Sequence, residues 1–496
     1  MSQYLSQTRI EEPIWLEADD ILFLRNRISE AETRLESLDG QIDQRDAKLV
    51  DIAACRNVLS PIRRVPSEIL AEIFCLSYRP NGNWSAYYDI IRSTSILCRA
   101  CVAWRKAAHA TPQLWSTLCL NAENNCKFLH RQFGWLEKWV DRCQGHSLDL
   151  YLALPAAKSR NGEQLLFHSI LCFSHKIRLL DVIGPPSSYL PLIEHSSFPL
   201  LEEVDFAIDD FPDADDTVEL LPPQKIDALL GAPKLRCVAM REFTGLSFLT
   251  VLMLPVEQLT SLKIISDFNS SNIYVNLLHR CGNLVNLELG YDSDFHPMDN
   301  ASFPICLPSL KSLSLHSSLL GWTTAPHLEE LTLRYASHDF HSFSIEVAAF
   351  QRRSRTALST LYLEYFDPQD EGLANFTEDL ISMLSVFPTV SKFGMRYSSF
   401  DVNPLLRALT ADENRQALLP KLEHLSLHMD GSEDYSSDSS ELKAFILSRW
   451  WPDDDVGGCV SEGSHGLLRL QKVALGKRYF KALDITPAPW GLISWY

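Results

Sequence analysis

Residues 281–289 read CGNLVNLEL, and residues 307–315 read LPSLKSLSL. Both contain the phrase LxxLxL, whose last two leucines alternate along the chain and therefore point to the same side of a β-strand. Eleven related phrases occur from about residue 175 onward, and most are followed by a polar loop. Their first apolar residues, which we call the anchors, are Ile177, Leu201, Leu235, Leu259, Leu284, Leu310, Leu328, Leu358, Val390, Leu422 and Leu470.

The spacing of the anchors indicates an architecture. Most intervals run from 18 to 34 residues, and the last is 48. A short strand with leucines on one side cannot bury them alone and has to stack on a neighbour. A repeat of LxxLxL with this period is typical of leucine-rich repeats. We therefore predict an α/β solenoid, an irregular leucine-rich-repeat horseshoe, over residues 175–496, with Trp490 and Trp495 capping its last repeat.

The segments between the phrases complete this prediction. NIYVNLLHR and EDLISMLSVF have apolar residues at helical spacing. We expect them to form helices of the outer wall.

Composition narrows the class of protein. The chain has 496 residues, of which 46% are hydrophobic and 22% charged, as in soluble folded proteins. Its net charge of −18 disfavours nucleic acid and anionic membranes as partners, because both attract basic surfaces. We see neither a secretory signal nor an apolar run of about 18 residues. Twelve cysteines without a disulfide-framework spacing suit reduced thiols, so we expect the cytoplasm and/or the nucleus.

The first segment, residues 1–59, contains a heptad pattern. Ile14, Ile21, Ile28, Leu35, Ile42 and Leu49 recur every seven residues; Leu24, Ala31, Leu38, Ile52 and Leu59 form a second seam, which Arg45 interrupts. This pattern predicts a long amphipathic helix that pairs with another helix. Coiled-coil self-association with another chain and folding back onto the same protein are both open.

Residues 59–74 read LSPIRRVPSEILAEIF and predict a helix from about Ser67 to Ser77. Val65, Ile69, Ile73 and Leu76 form one stripe, and Leu70 and Phe74 fall well round the cylinder from it. The apolar arc covers roughly half of the helix, which is wider than the stripe of a one-sided surface helix. Such a helix needs two apolar neighbours.

Residues 94–115, TSILCRACVAWRKAAHATPQLW, predict a second helix and the start of a third. Apolar residues from Ile96 to Ala108 share one helical face. Thr111-Pro112 is typical of an N-cap followed by proline at the first helical position. Three short helices bury little core, so an exposed apolar face on this unit indicates a docking site.

VPSEILAEIF followed by CRACVAWRKAAHATPQLW resembles the F-box, and especially the F-box-like proteins of mushroom-forming fungi. In those proteins a heptad helix and an SPIRxLPxEIL phrase precede the box, and leucine-rich repeats follow it. The resemblance implies an F-box-like domain over residues 60–120, a linking or cap region over residues 121–174, and the repeats after it. It also implies docking on a Skp-type adaptor, through it on a cullin, and a protein substrate held by the repeats.

By position, the resemblance implies a set of adaptor-binding residues: Pro66, Ile69, Leu70, Ile73, Phe74, Trp104, Pro112, Leu114 and Trp115. Cys101 and Trp104 match the C-x-x-W of the second helix. The sequence departs from the family at Val65, where leucine is usual, at Ala100, where valine is usual, and in an insertion at residues 78–93.

The sequence offers little for catalysis. Cys98 and Cys101 form a lone CxxC on an apolar helix, which favours two packed thiols. The acidic run DDFPDADD at residues 209–216 lacks the glycine and the glutamate of a calcium loop. His327, His338 and His341 are too spread for a metal pair, and HExxH, GxSxG and GxxxxGK are absent from the sequence. We expect no enzyme activity, no cofactor and no metal.

The residues that alternate with the inward leucines are expected to line a concave surface. The substrate-binding candidates are Lys263, Glu288, His316, Arg334, Glu364, Arg396 and His428, each taken as the last such position of its phrase, with Tyr362 beside them. A mixed-charge strip with an aromatic suits protein recognition, although a solvated sheet face without a ligand is also open. Together with this strip, the resemblance to the F-box proteins implies a substrate-recognition subunit of a Skp–cullin–F-box type ubiquitin ligase. The alternative is a non-catalytic repeat scaffold independent of ubiquitin.

Overall fold

The computed structural model describes most of the chain in seventeen stretches. They are residues 16–37, 42–78, 80, 83–121, 134–154, 167–208, 224–242, 247–266, 271–290, 305–334, 340–366, 373–398, 402–410, 417–429, 439–449, 467–475 and 493–495. The chain divides into two compact units. The first comprises Met1–Glu202, Phe211–Leu220 and Gly231–Lys234; the second comprises Glu203–Asp210, Leu221–Leu230 and Leu235–Tyr496.

The first unit begins with helices and continues with alternating strands and helices. Its elements are α1 Ala18–Ser37, α2 Ile42–Leu59, α3 Ser67–Tyr78, α4 Ile90–Ala100, α5 Val102–His109, β1 Thr117–Asn121, α6 Gly134–Arg142, β2 Leu148–Ala153, β3 Ile177–Ile183 and α7 Pro186–Glu194. Short 3-10 turns at Pro61–Arg64 and Pro112–Leu114 flank α3–α5.

The heptad segment forms two helices that pack on each other. Leu24 of α1 is buried against Cys55 and Val58 of α2. Arg56 Nη2 lies 2.7 Å from Glu32 Oε1, whereas residues 24 apart in one continuous helix lie about 36 Å apart. The prediction of one long helix is therefore wrong. Of the heptad residues, Leu24 and Ile52 are buried in their own chain, whereas Leu49 is 46% exposed. Residues 38–41, between the two helices, lie outside the described residues.

The predicted second helix is broken in two. Cys101 adopts an extended conformation between α4 and α5, and its Sγ accepts a hydrogen bond from Trp104 N at 3.3 Å. The break lets the apolar residues of α4 and α5 pack in different directions. The predicted third helix is a single 3-10 turn, Pro112–Leu114. Thr111 does not cap it, because its hydroxyl donates back to Ala107 O at 2.7 Å.

Parallel strand pairing starts earlier than the sequence predicts. β1 pairs with β2, and β2 pairs with β3, all in parallel. The linking or cap region predicted at residues 121–174 therefore contains a sheet strand and the helix α6. The sequences of β1 and β2 do not match the LxxLxL pattern, because Trp115 and Ser147 occupy the positions where a leucine anchor is expected.

The second unit repeats short strands with helices and turns between them. Its elements are β4 Glu203–Ala207, β5 Cys237–Arg241, β6 Ser261–Ile265, α8 Ser271–Arg280, β7 Asn286–Gly290, β8 Ile305–Cys306, β9 Ser312–His316, β10 Thr323–Thr324, β11 Glu330–Arg334, α9 Phe340–Ser354, β12 Thr360–Glu364, α10 Leu373–Ser385, β13 Lys392–Ser398, α11 Asn403–Leu409, β14 His424–Met429, α12 Ser439–Arg449, β15 Lys472–Leu475 and β16 Ile493–Trp495. The predicted helices NIYVNLLHR and EDLISMLSVF lie within α8 and at α10, and are confirmed.

The sheet of the second unit is parallel and follows the chain order β4-β5-β6-β7-β9-β11-β12-β13-β14-β15-β16, with β8 and β10 paired separately. All eleven predicted phrases form strands. Every anchor is at most 1% exposed. Rows of apolar side chains run across the strands in register, as Leu262, Leu287 and Leu313 do. The protein is thus a mixed α/β fold, and in its second unit the apolar rows of the parallel strands form the core.

The described helices do not include any that is both long enough and apolar enough to cross a membrane. The C-terminal strand β16 includes Trp495, while Trp490 lies outside the described residues. The predicted capping role of the two tryptophans stays a prediction.

Arg449, at the end of α12, is fully buried. Its side chain donates hydrogen bonds to backbone carbonyl oxygens. Its guanidinium donates to the carbonyl oxygens of Leu409 at 2.8 Å, Leu419 at 2.8 Å and Leu418 at 2.6 Å. Burial lowers the pKa of Arg449 to about 10, so it stays protonated at neutral pH. The end of α11 and the turn before β14 thus depend on one side chain.

We expect Arg449→Met to lower the free energy of unfolding by about 2–4 kcal/mol, because it leaves buried carbonyl oxygens without donors. The urea midpoint followed by circular dichroism measures this change. Arg352→Met, at an exposed position of α9, is the matched control and should leave the midpoint unchanged. Equal midpoints for the two variants would contradict the proposed role of Arg449.

Candidate functional site

Helix α3 divides its apolar residues between two directions. Leu70, Phe74 and Tyr78 point inward and are buried. The ring of Phe74 packs on the ring of Trp104 in α5, with centroids 5.1 Å apart and planes tilted by 59°. One half of the apolar arc is therefore satisfied by the protein's own core.

The other half of the arc is open. Ile69 is 53% exposed, Ile73 41% and Leu76 63%; we call these three residues the α3 stripe. The predicted wide arc with two separate apolar faces is thus confirmed. Glu68 and Glu72 are exposed on the same helix. An apolar stripe bordered by charge, on a helix fixed from behind, has the form of a docking surface.

Several residues predicted to bind an adaptor face the interior instead. Leu70, Phe74, Leu114 and Trp115 are each at most 3% exposed, so direct adaptor contact through them is wrong for this conformation. These side chains are buried because short helices need their largest apolar side chains to form a common core. Of the remaining candidates, Pro66 is exposed like the stripe, and Trp104 and Pro112 are half-buried.

Trp115 shows how this core is tied together. Its Nε1 donates to Ala108 O at 2.8 Å, and its ring meets the ring of Trp139 in α6 at 4.8 Å. The guanidinium of Arg142 lies 4.5 Å over the same ring. Trp115 is therefore a structural centre and not a contact residue.

The insertion at residues 78–93 is held by aromatic side chains. Tyr78 packs on Trp84 at 5.6 Å, and Trp84 packs on Tyr88 at 5.3 Å. Tyr88 OH donates to Tyr78 O at 3.0 Å, and Thr94 Oγ1 donates to Tyr78 OH at 3.1 Å. Burial raises the pKa of Tyr78 and keeps its hydroxyl neutral. The described part of the insertion, Pro80 and residues 83–93, thus ties the end of α3 to α4.

A second candidate surface lies on the sheet of the second unit. Lys263 Nζ lies 2.9 Å from Glu288 Oε2, and Arg334 Nη2 lies 3.1 Å from Glu288 Oε1. Arg334 Nε lies 3.2 Å from Glu364 Oε2, and Arg396 Nη1 lies 3.4 Å from Glu364 Oε1. We call these five residues the charge ladder.

The ladder joins two rows of the sheet. Lys263 and Glu288 are neighbours in register, at the third residue of β6 and of β7. The prediction that they occupy the last outward position is therefore wrong. Arg334, Glu364 and Arg396 occupy the fifth position of β11, β12 and β13. Arg334 can reach back to Glu288 because Gly290 leaves room. A Cβ on that residue would lie 3.0 Å from Arg334 Nη1.

Two substrate candidates are less accessible than predicted. His316 is 7% exposed and Glu364 is 8% exposed. Burial lowers the pKa of His316. Glu364 is covered because it lies between the guanidinium groups of Arg334 and Arg396. Glu364 therefore lies inside the ladder, and neither residue offers an open contact surface.

Burial and pairing act against each other in the ladder. Burial raises the pKa of Glu288, but the hydrogen bonds and charges of Lys263 and Arg334 outweigh it and lower the pKa overall. Burial lowers the pKa of Arg334, and its two carboxylate partners reverse the shift. Both groups therefore stay charged at neutral pH.

The aromatic side chains beside the ladder were only partly predicted. The guanidinium of Arg396 lies 4.4 Å from the ring centroid of Tyr362. Gly394 makes this geometry possible, since a Cβ there would lie 2.6 Å from the Tyr362 ring. Tyr365 and Tyr397, which the sequence analysis missed, are both exposed and stack at 4.9 Å with planes 12° apart.

The tyrosine pair rests on strained backbone. Tyr365 has φ of 62° and Tyr397 has φ of 54°. The left-handed region costs an L-residue roughly 1–2 kcal/mol, and such strain concentrates at functional sites. Tyr365 N donates to Arg396 O at 3.0 Å, which holds the pair at the ends of β12 and β13. Position-specific strain leaves no periodic signal, so the sequence could not indicate it.

A buried acid elsewhere in the second unit has its hydrogen-bond partners within the protein. Glu242 accepts hydrogen bonds from Tyr274 OH at 2.6 Å, Phe248 N at 2.7 Å and Ser247 Oγ at 3.2 Å. Burial raises its pKa, and these donors oppose the rise. The cluster links Glu242, the residue after β5, to Ser247, Phe248 and Tyr274, which is a structural role.

The residues considered for catalysis are not drawn together. Cys98 and Cys101 are free thiols, and burial raises the pKa of Cys98. His341 Nδ1 lies 3.0 Å from Asp379 Oδ1, while His338 and the acidic run 209–216 lie outside the described residues. Within the described residues, no group of three or more His, Cys, Asp or Glu could hold a metal ion.

Comparison with known proteins yields no family assignment. No family model matches the sequence, and no curated protein matches it.

We expect Glu288→Gln to lower the free energy of unfolding by about 1 kcal/mol at pH 7, because the carboxylate is only partly exposed and pairs with two cations. The pKa of Glu288 is lowered in the fold, so its stabilisation is present above its ordinary pKa. The stabilisation is lost as the pH falls through the folded-state pKa. Urea midpoints of variant and wild type should therefore converge as the pH falls below the ordinary pKa of a glutamate.

Glu329→Gln is the matched control for this prediction. Glu329 Oε1 lies 2.9 Å from Lys311 Nζ, but both side chains are exposed, so the pair contributes little. A loss at Glu329 as large as that at Glu288 would show that the ladder has no special role in stability.

Proposed function

We propose that this protein is the substrate-recognition subunit of a Skp–cullin–F-box type ubiquitin ligase. In this proposal residues 60–120 are an F-box-like domain that docks on a Skp-type adaptor. The second unit is the leucine-rich-repeat horseshoe, an α/β solenoid that holds the target protein. The observation that carries the proposal is the α3 stripe, an open apolar face on a helix whose opposite face is locked in the core.

The arrangement of the second unit supports the repeat part of the proposal. Its parallel strands follow the chain order with a connection after each strand, and the anchors are fully buried. This is the arrangement expected when each repeat buries its leucines against the next. The charge ladder lies on the strand residues that alternate with those leucines.

The energetics indicate how an adaptor would bind. Burying a large apolar side chain completely contributes about 1.5–3 kcal/mol. The three stripe residues are each about half exposed, so covering them contributes roughly 2–4.5 kcal/mol in total. Association costs at least about 4 kcal/mol. The stripe can therefore centre the interface, and polar contacts around it have to supply the remaining affinity.

The proposed role requires no bond-making by this chain. A receptor of this kind holds a target lysine near a ubiquitin-loaded enzyme, and the rate gain comes from proximity. The compartments consistent with this role are the cytoplasm and the nucleus. The partners are a Skp-type adaptor, through it a cullin, and a protein substrate.

We expect the double variant Ile69→Asp, Ile73→Asp to bind the adaptor at least 100-fold more weakly, because it places two carboxylates in the apolar contact. Both side chains are exposed, so the fold should survive. Co-expression with a Skp-type adaptor, followed by co-purification and calorimetric titration, measures the loss. Leu70 is left intact because it is buried, and its replacement would unfold the domain.

Ile345→Asp is the matched control, since Ile345 of α9 is also 53% exposed. It should bind the adaptor like the wild type. Undiminished binding by the double variant, with an unchanged circular dichroism spectrum, would remove the proposal. A scaffold without a link to ubiquitin would then be the better explanation, with exposed Phe23 and Val50 on α1 and α2 as contact points.

A further inference from the structure

The side chain of Arg63, in the 3-10 turn before α3, is a buried cation. Arg63 is 2% exposed. Its Nε, Nη1 and Nη2 atoms are all buried, and none of them has a hydrogen-bond partner in the part of the chain that the structure describes. A guanidinium stays protonated in proteins. Taking such a charge out of water without pairing it is costly, so Arg63 destabilises the fold unless an anion joins it.

A second buried arginine, Arg449, differs from Arg63 in this respect. The guanidinium of Arg449 donates to three backbone carbonyl oxygens, so its burial is compensated by hydrogen bonds. The three nitrogen atoms of Arg63 lack such acceptors among the described residues and are free to donate to an anion.

Cys101 is a side chain that acts electrostatically on Arg63. Burial lowers the pKa of Arg63, and Cys101 acts in the opposite direction. Cys101 is 7% exposed and is a free cysteine. It lies in the extended backbone between α4 and α5. A negative charge on this side chain would therefore stabilise the buried guanidinium.

Cys101 is also the N-cap of α5. Its Sγ accepts a hydrogen bond from Trp104 N at 3.3 Å. The first N–H groups of a helix lack acceptors within the helix, and the N-terminal end carries a partial positive charge. A neutral thiol is only a weak acceptor for such groups. The buried guanidinium and the helix end thus independently favour an anion at the sulfur atom of Cys101.

We propose that Cys101 is a site of oxidation by hydrogen peroxide, and that Arg63 and the N-terminus of α5 hold the sulfinate that forms. In the first step the sulfur attacks one peroxide oxygen and the O–O bond breaks. The second peroxide oxygen leaves as water with the thiol proton, and a sulfenic acid remains. A second peroxide adds another oxygen to the sulfur in the same way and releases another water. The sulfinic acid then gives its proton to solvent. Each step oxidises the sulfur by two electrons and reduces one peroxide by two.

The chemistry of the site favours the sulfinate over a disulfide. A sulfinate carries a full negative charge and two acceptor oxygens, and charged acceptors form the stronger hydrogen bonds with a guanidinium. Cys98 is the alternative reaction partner, because it completes the CxxC sequence. Burial raises the pKa of Cys98, against the opposing effects of Arg142 and Arg105. Cys98 therefore stays a neutral thiol, which attacks a sulfenic acid slowly.

The first experiment treats the full chain with hydrogen peroxide and quantifies the oxidation of each cysteine by peptide mass spectrometry. In the wild type we expect two added oxygen atoms on Cys101. In Arg63→Met the sulfinate fraction at Cys101 should fall about fivefold or more, because the anion loses its charged partner. Arg64→Met removes the neighbouring arginine and is the matched control, for which we expect the wild-type fraction.

Two exposed cysteines, Cys172 and Cys306, report the dose of oxidant in the same digests and should react alike in all three proteins. Three results would each overturn the proposal. They are no sulfinate at Cys101 in the wild type, an equal or higher fraction in Arg63→Met, and a disulfide between Cys98 and Cys101 in place of the sulfinate.

The second experiment tests the anion without an oxidant, by comparing Cys101→Asp with Cys101→Asn in the full chain. Aspartate and asparagine have the same shape and are both common N-cap residues, so the two variants differ chiefly in charge. We expect the aspartate variant to have the higher urea midpoint by about 0.5 M, the shift that one charged hydrogen bond would give. In the Arg63→Met background this difference should fall by more than half.

The remaining part of the difference reflects the helix end, which also favours a carboxylate. Equal midpoints of the aspartate and asparagine variants, or a difference that Arg63→Met leaves unchanged, would contradict the proposed site. Arg63→Gln, which removes the charge but keeps a polar end, repeats both experiments should Arg63→Met not fold. Neither experiment involves the adaptor, so the proposal does not rest on the proposed function.

Discussion

The burial of leucines by short parallel strands is the constraint on which the second unit depends. A strand of five residues offers one face of two or three apolar side chains, and it can bury them only against the strands on either side. Register then follows from the apolar rows, because a slip of one residue would turn every leucine to solvent. The anchors are buried even where the interval between them changes, since extra residues enter the connections and leave the strands in line.

The same alternation that buries the leucines creates the functional surface. Every second residue of each strand must face away from the core, so neighbouring strands build rows of polar side chains at fixed spacing. Oppositely charged neighbours join into the charge ladder from Lys263 to Arg396. Beyond Arg396 the alternation of sign stops, and the outward positions of β13 to β15 become basic.

Two buried charged side chains, Arg449 and Glu242, have their hydrogen-bond partners within the protein and therefore belong to its interior. Arg449 supplies donors to three carbonyl oxygens, and Glu242 accepts from a tyrosine, a serine and a backbone amide. In the first unit, a small core includes the side chains of Phe74, Trp104 and Trp115. The α3 stripe is what remains, because a three-helix unit cannot surround a helix that is apolar on half of its circumference.

Periodicity in the sequence determined the strand phrases, their anchors, the helices between them and the wide apolar arc of α3, because local patterns of 2, 3.6 and about 25 residues reflect burial directly. Only the tertiary structure decided where a pattern ends or which way a residue faces. The heptad segment formed two helices that pack on each other around Leu24, Cys55 and Val58, and the extended Cys101 divided a predicted helix. Lys263 and Glu288 lie in a different row of the sheet from the predicted one, and Leu70 faces the core. The stacked tyrosines and the charge ladder came from residues brought together across strands, and contacts between residues distant in sequence leave no local pattern.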